Sequence, residues 1–298
     1  MRLLRLAAVS RNYFNLPIWI ALDQGFFAAE GLAVTLEIHE PIDAVYERLR
    51  DGQVQFACGV TEHVILDRER GGRQEILAGN VNKLPFSFIG GKHIRSIEDL
   101  RGGTIGVSSI EAGSSSLILK MLAAHGLKYP GDYRLLACGP ILARWEKLQS
   151  GEIDAGLQGV PLNHIAIDAG FTDLGDPRAL FPDFQFTSLN VDGGWARGNR
   201  QATIGFLRAW VRAHRWFFAN RAGANRIAMA ETGVGETYAD RAWLECTQAG
   251  IFPIDGRASV AAVQTLIEVS ALIRALPSRA AIRAESYINS SYIDAATV

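Results

Sequence analysis

The chain has 298 residues, 48% hydrophobic and 20% charged, with 30 Lys plus Arg against 31 Asp plus Glu and a net charge of -1. That length exceeds the roughly 100–150 residues usual for one domain and predicts two lobes. The apolar content excludes intrinsic disorder, and the balanced charge leaves no cationic excess for a nucleic-acid backbone or an anionic membrane. No apolar run approaches the roughly 18–20 residues of a membrane span. Met1–Ser10 superficially suggests a secretory leader, but Arg11, Asn12 and Tyr13 follow a short apolar stretch, so the segment reads as a first β-strand. The chain is then cytoplasmic, or a leader was removed before this sequence begins. Cys58, Cys138 and Cys246 are too few and too far apart for a disulfide framework or a Cys-x-x-Cys zinc pattern, and read as small buried apolar residues.

Leu3–Val9 reads as a buried strand, and Pro17 opens a helix in its first turn, where its missing N–H is no loss. Ile18, Leu22 and Phe26 form the apolar stripe of that helix, and Gly31 closes it. Leu32–Ile38 alternates apolar and polar residues as a half-buried strand. Helix Ile42–Asp51, strand Val54–Cys58 and helix Thr61–Arg70 extend a βαβα pattern, which predicts a largely parallel sheet wrapped by helices. The pattern restarts near residue 95. Ser96-Ile97-Glu98-Asp99 has the form of a capping box. Strand Thr104–Ser108, helix Ser114–Ala124, strand Tyr133–Cys138, helix Ile141–Gln149 and strand Asp154–Gln158 follow. From Arg200 the chain reads as helices over Phe206–Phe218, Ala224–Glu231, Tyr238–Gln248 and Val260–Leu276. Arg208, Arg212, Arg215 and Arg221 lie among aromatic residues there, and helical spacing makes Phe206, Trp210, Phe217 and Phe218 a core stripe with arginines on the wet face.

The two halves echo each other. Leu49–Gln55 matches Leu148–Asp154 in pattern, with Gly52 and Gly151 in register, and Gly31 and Gly126 stand at a similar offset. Two copies of one plan predict two α/β lobes with a cleft.

The residues then look familiar. Ile18–Glu37 (IWIALDQGFFAAEGLAVTLE) resembles the opening helix and second strand of type II periplasmic binding proteins. The branch is the one holding sulfonate, taurine, nitrate and thiamine-pyrimidine-precursor binders. Ile97–Leu127 (IEDLRGGTIGVSSIEAGSSSLILKMLAAHGL) resembles that branch's entry into the second lobe. Leu148–Asp154, Gly205–Trp216 and Ser291–Asp294 also fall where the family has comparable segments. The resemblance implies a two-lobed α/β fold, each lobe a mostly parallel sheet flanked by helices, with a helical C-terminal third. It places lobe one at 1–88 and 190–298 and lobe two at 89–189, with strands crossing near Phe86–Ile94 and Phe184–Asp192. It implies a monomeric substrate-binding protein that closes on a small sulfonate, carboxylate or pyrimidine-like solute and hands it to an ABC importer permease. On this reading the chain is not an enzyme, is periplasmic if a leader was removed, and needs no metal, cofactor or nucleic acid. The alternative is a cytoplasmic enzyme on the same fold, either a thiamine-pyrimidine synthase or a decarboxylase. The cysteine cluster of that synthase family is missing here, although the lack of a leader favours the enzyme. A ligand-sensing domain is a third reading.

In open α/β sheets ligands lie beyond the carboxyl ends of the strands. That rule selects Asn12, Tyr13 and Asn15 after strand one, Thr61 and Glu62 after the strand ending at Cys58, Ser108 to Ser116 after Val107, and Gln158 and Asn163 after Leu157. Ser108, Ser114 and Ser115 lead into a helix N-terminus, with Glu111 and Gly113 in the same loop, so they suit an anion or act as an ordinary cap. Glu62 suits an amine or a pyrimidine, or simply favours the helix dipole. Tyr13 suits a flat solute, and Asn82 and Asp192 lie in the expected crossings as contacts or turn residues. No His-x₃-His pattern, Gly-x-Ser-x-Gly elbow or P-loop is present, which argues against metal, serine-hydrolase and nucleotide-hydrolysis chemistry.

Overall fold

The computed structural model describes residues 1–110, 113–272 and 283–297. These residues separate into two compact units. The first comprises residues 1–83, 183–265 and 283–297, and the second comprises 84–110, 113–182 and 266–272. The first unit opens with β1 (Arg2–Val9), α1 (Leu16–Asp23), α2 (Phe26–Ala29), β2 (Leu32–His39), α3 (Ile42–Arg50), β3 (Phe56–Val60), α4 (Glu62–Glu69) and β4 (Gln74–Val81). The second holds β5 (Phe86–Gly90), β6 (Thr104–Val107), α5 (Gly113–Ala124), β7 (Arg134–Ala137), α6 (Ile141–Ser150), β8 (Ala155–Gly159), α7 (Leu162–Asp168) and β9 (Thr172–Gly175). The chain then re-enters the first unit through β10 (Thr187–Asp192), α8 (Gly193–Gly198), α9 (Arg200–Ala219), α10 (Arg221–Thr232) and α11 (Glu236–Gln248). It ends with α12 (Val260–Leu272) and α13 (Ser291–Ala296). The expected last turn of α12, residues 273–276, lies outside the described residues, as does Glu111.

Each unit has its own five-stranded sheet, ordered β2-β1-β3-β10-β4 and β7-β6-β8-β5-β9. Four strands of each run one way, and one is reversed: β10 lies antiparallel to β3 and β4, and β5 lies antiparallel to β8 and β9. Sheets with one reversed strand and helices around them match the expected fold class.

The internal echo has a structural basis. Gly52 and Gly151 both adopt left-handed backbone, φ 70° and 77°, just past α3 and α6. Behind them Gln53 N–H donates to the Arg48 carbonyl at 2.9 Å and Glu152 N–H to that of Lys147 at 3.0 Å. The next strand is joined in the same way, by Gln55 N–H to Arg5 carbonyl in one unit and Asp154 N–H to Thr104 carbonyl in the other. Each pair is offset by 99 residues, so the repeat is a helix, a glycine stop and a strand docked beside its predecessor.

The core of the first unit is aromatic. On α9, Phe206 stacks on Phe56 with centroids 4.0 Å apart and packs against Phe27 at 4.7 Å. Trp210 is buried and donates its indole N–H to the Gly79 carbonyl at 3.1 Å. Arg208, Arg212 and Arg215 are exposed, as helical spacing predicts. All three cysteines are buried thiols, and burial pushes Cys58 up to about 12, which keeps it an inert apolar group. The capping box forms only in part. Asp99 accepts from the Ser96 and Arg95 N–H groups at 3.0 and 2.8 Å, and a single 3₁₀ turn at Glu98–Leu100 follows it.

Candidate functional site

In the first unit the carboxyl ends of β1, β3 and β4 meet the start of the reversed strand β10. That end of the sheet is polar and buried. The Thr61 hydroxyl bonds Ser188 Oγ at 2.9 Å, Ser188 donates to Asn190 Oδ1 at 2.7 Å, and Asn190 Nδ2 reaches the Tyr46 hydroxyl at 3.1 Å. Tyr46 closes the chain by donating to the Val60 carbonyl at 2.6 Å. Thr61 therefore makes no side-chain cap for α4, and its hydroxyl is committed to the sheet. Asn80 joins the Phe14 carbonyl and Thr187 Oγ1 at 2.9 and 3.0 Å. Glu62 is buried in the first turn of α4. Sequence reading missed Thr187 and Ser188, because a reversed strand delivers its amino end, not its carboxyl end, to the site.

The loop after β1 is built by its own side chains. Asn15 donates to the Ser10 carbonyl at 2.7 Å, and Asn12 accepts from Phe14 N–H at 3.0 Å, capping a short 3₁₀ turn. Ser10 has φ 49°, the left-handed backbone that a non-glycine residue rarely adopts, and its hydroxyl donates to Glu40. Tyr13 needs correction as an open aromatic wall. It is 1% exposed, stacked on Phe252 at 6.4 Å, and burial drives its phenol well above the ordinary range.

Two further expected contacts are structural. Asn82 donates to the Arg257 carbonyl at 2.7 Å and accepts from Gln185 at 2.7 Å, tying the end of β4 to the 250s loop. Asp192 pairs with Gln74 at the start of β4, at the opposite end of the sheet from the strand carboxyl ends. There it caps α8 through Trp195 N–H at 2.8 Å and pairs with Arg73 at 3.2 Å. It is no part of the site, again because β10 runs backwards.

In the second unit Ser108, Ser87, Gln158 and Asn163 gather at the ends of β6 and β8 and the beginning of β5. Ser87 is in register with Gln158, and Asn163 donates to Ser87 Oγ at 3.3 Å. Gln158 is 0% exposed, and among the described residues neither its amide nitrogen nor its oxygen has a hydrogen-bond partner. Ser114 Oγ accepts from Ser108 N–H at 3.2 Å and meets Ser108 Oγ at 2.5 Å, while Ser115 donates to the Ser109 carbonyl. These hydroxyls hold the loop rather than standing free. Replacing Ser114 and Ser115 together by alanine should lower stability by about 1–3 kcal/mol, the sum of two ordinary hydrogen bonds. A denaturant midpoint unchanged within error would show instead that the hydroxyls do not support the fold.

One residue of this unit was not anticipated. Arg144 on α6 is 3% exposed, and its stem lies across Gly106 and Gly156, neighbours on β6 and β8. A β-carbon on Gly156 would stand 3.1 Å from Arg144 Cδ, and one on Gly106 would stand 3.3 Å from its Cγ. Arg144 Nε donates to the Leu157 carbonyl at 2.7 Å, next to Gln158. The signal was present in sequence. Ile141, Arg144, Trp145 and Leu148 occupy the inward i, i+3, i+4, i+7 positions of α6, where an arginine is out of place.

Each of the two α/β units collects polar groups at the ends of its strands. Residues 12–224 match the model of the "NMT1/THI5 like" family, and the chain belongs to that family. Among solved structures it resembles the alkanesulfonate-binding protein SsuA of Xanthomonas axonopodis pv. citri bound to MOPS (TM-score 0.77, 15% identity, covering 98% of this chain and 99% of that one). It also resembles the periplasmic nitrate-binding protein NrtA of Synechocystis PCC 6803 (TM-score 0.78, 15% identity, 100% and 89%). At these identities the likeness is one of fold, the periplasmic-binding-protein fold. Among curated proteins it is 27% identical over 170 residues to the 4-amino-5-hydroxymethyl-2-methylpyrimidine phosphate synthase of Schizosaccharomyces pombe, covering 56% of this chain. The chain spans about half the length of the curated relatives it matches, 47% in that case. These relatives are named enzymes, so the expectation of a non-enzymatic chain is corrected. No helix among the described residues is long and apolar enough to cross a membrane.

Proposed function

We propose that the chain binds a small solute bearing an amino group beside a ring nitrogen, an aminopyrimidine, at the carboxyl end of β8. Gln158 carries this reading. Its buried amide offers an N–H donor beside a carbonyl acceptor, both unused. An amino group next to a ring nitrogen presents the complementary acceptor and donor, the match by which glutamine reads adenine. A buried amide left unpaired is costly, about 1–3 kcal/mol for each end, and a ligand that supplies both partners recovers that cost. The aminopyrimidine in the relatives' name supports the same class.

Two uses of the bound heterocycle follow. The fold likeness supports capture for an ABC permease, and the curated relatives support synthesis of a pyrimidine phosphate. Calorimetry with 4-aminopyrimidine and with 4-amino-5-hydroxymethyl-2-methylpyrimidine tests the binding claim. Gln158→Leu should weaken either ligand about 5- to 150-fold, the equivalent of 1–3 kcal/mol, while the unliganded variant is at least as stable as the parent. Equal affinity for parent and variant, or no binding by the parent, rejects the reading. Chromatography of the recovered ligand separates the two uses, since capture returns it unchanged.

A further inference from the structure

We infer that Arg144 is a buried anchor for an oxyanion carried by the ligand, a carboxylate, phosphate or sulfonate seated beside Gln158. The inference rests on the reading that the end of β8 receives the solute. A guanidinium is charged at any physiological pH, and burying it without a counter-charge costs several kcal/mol. Among the described residues its hydrogen bond is the one from Nε to the Leu157 carbonyl at 2.7 Å, which leaves the two terminal nitrogens to a further partner. No carboxylate pairs with it among the described residues. Burial draws the group down to about 10.

The setting is built to keep the charge in place. Two facing glycines clear a path for the stem, and a β-carbon at either would crowd it. Gly156 and Gln158 lie on the same face of β8 because side chains alternate along a strand. The guanidinium, bonded at Leu157 between them, is thus brought to the face that carries the unpaired amide. Cation and amide are the parts of one receptor. The Nη pair offers a two-pronged donor to a planar or tetrahedral oxyanion, and Gln158 reads the uncharged edge of the same molecule.

The test uses the full chain and three probes, sodium benzoate, inorganic phosphate and sodium methanesulfonate, each titrated against sodium chloride at matched ionic strength. At least one probe should raise the melting temperature with dose, and the one that acts distinguishes carboxylate from tetrahedral oxyanion. Arg144→Met should lose at least tenfold in affinity for that probe, and Arg144→Lys should lose less. If Arg144→Met fails to fold, the arginine side-chain ¹⁵N resonances of the parent supply the readout, and a shift of the Arg144 signals on adding the probe supports the inference. A parent that responds to none of the three probes overturns the inference, as does an Arg144→Met variant that responds as the parent does. Binding of neutral 4-aminopyrimidine, read through Gln158→Leu, is unaffected by that failure, so the two claims fall separately.

Discussion

Replacing Gly79 by alanine should destabilise the chain by about 3 kcal/mol, at the upper end for one added methyl in a packed interior. Gly79 lies on β4, where the sheet, α9 and the loop before α12 converge. Its N–H donates to the Gly256 carbonyl at 2.9 Å, and its carbonyl accepts the Trp210 indole N–H. A β-carbon there would overlap the carbonyl oxygen of Arg257 and stand 2.9 Å from that carbonyl's carbon. It would also overlap Asn82 Oδ1, and although that side chain can turn, the Arg257 carbonyl is backbone that no rotamer change moves. Moving it aside would break the bond from Asn82 Nδ2 to the Arg257 carbonyl. At about 2–4 °C per kcal/mol for a chain of this size, the melting temperature should fall by roughly 6–12 °C. Gly198→Ala is the control, because a β-carbon there meets nothing within 4 Å. A Gly79→Ala variant melting within 2 °C of the parent would show that the loop gives way easily.

The second large effect is acid sensitivity centred on His214. This residue of α9 is fully buried between Trp210, at 5.1 Å, and Phe252, at 6.2 Å, and among the described residues neither ring nitrogen makes a hydrogen bond of ordinary geometry. Burial holds the imidazole down to about 4 against the weaker pull of the Pro253 carbonyl and Asp255. In the unfolded chain the same group titrates near 6.5. Below that pH the unfolded state binds a proton that the folded state refuses, so stability falls as pH drops from about 6.5 to about 4. The total loss is about 3 kcal/mol, and above pH 7 the contribution is flat. His214→Phe keeps an aromatic ring and removes the titration. Urea unfolding at pH 7.5 and 4.5 should show the parent losing about 2–3 kcal/mol more than the variant. Equal losses would mean that the carboxylates alone govern the acid limb.

Much of the fold was legible because its repeat is local. The alternation of Leu32–Ile38, the stripe on α9 and the paired Gly52 and Gly151 each state a structure within a few residues. The reversed strands were harder. Thr187–Asp192 alternates like any strand, and nothing in that alternation tells its direction. Direction decides which of its ends carries ligand groups, so Thr187 and Ser188 were overlooked, while Asp192, named from its place in the expected crossing, lies at the other end beside Gln74. The burial of Tyr13 was hidden for a different reason: a loop's position is written in the sequence, but the packing of a side chain within it depends on Phe252, far along the chain. Gln158 was reached by the strand-end rule. Its unpaired amide and the arginine beside it are properties of packing, visible only once β5, β8 and α6 are assembled.

The central claim is that the Gln158 amide is the recognition element for an amino-heterocycle. The most direct measurement follows its side-chain N–H₂ resonances by ¹⁵N–¹H spectroscopy of the full chain, assigned by their loss in Gln158→Leu, as 4-aminopyrimidine is added. The account predicts that both protons shift in a saturable manner, with one moving strongly downfield as it gains an acceptor. Binding seen by calorimetry while these two signals stay fixed would contradict it.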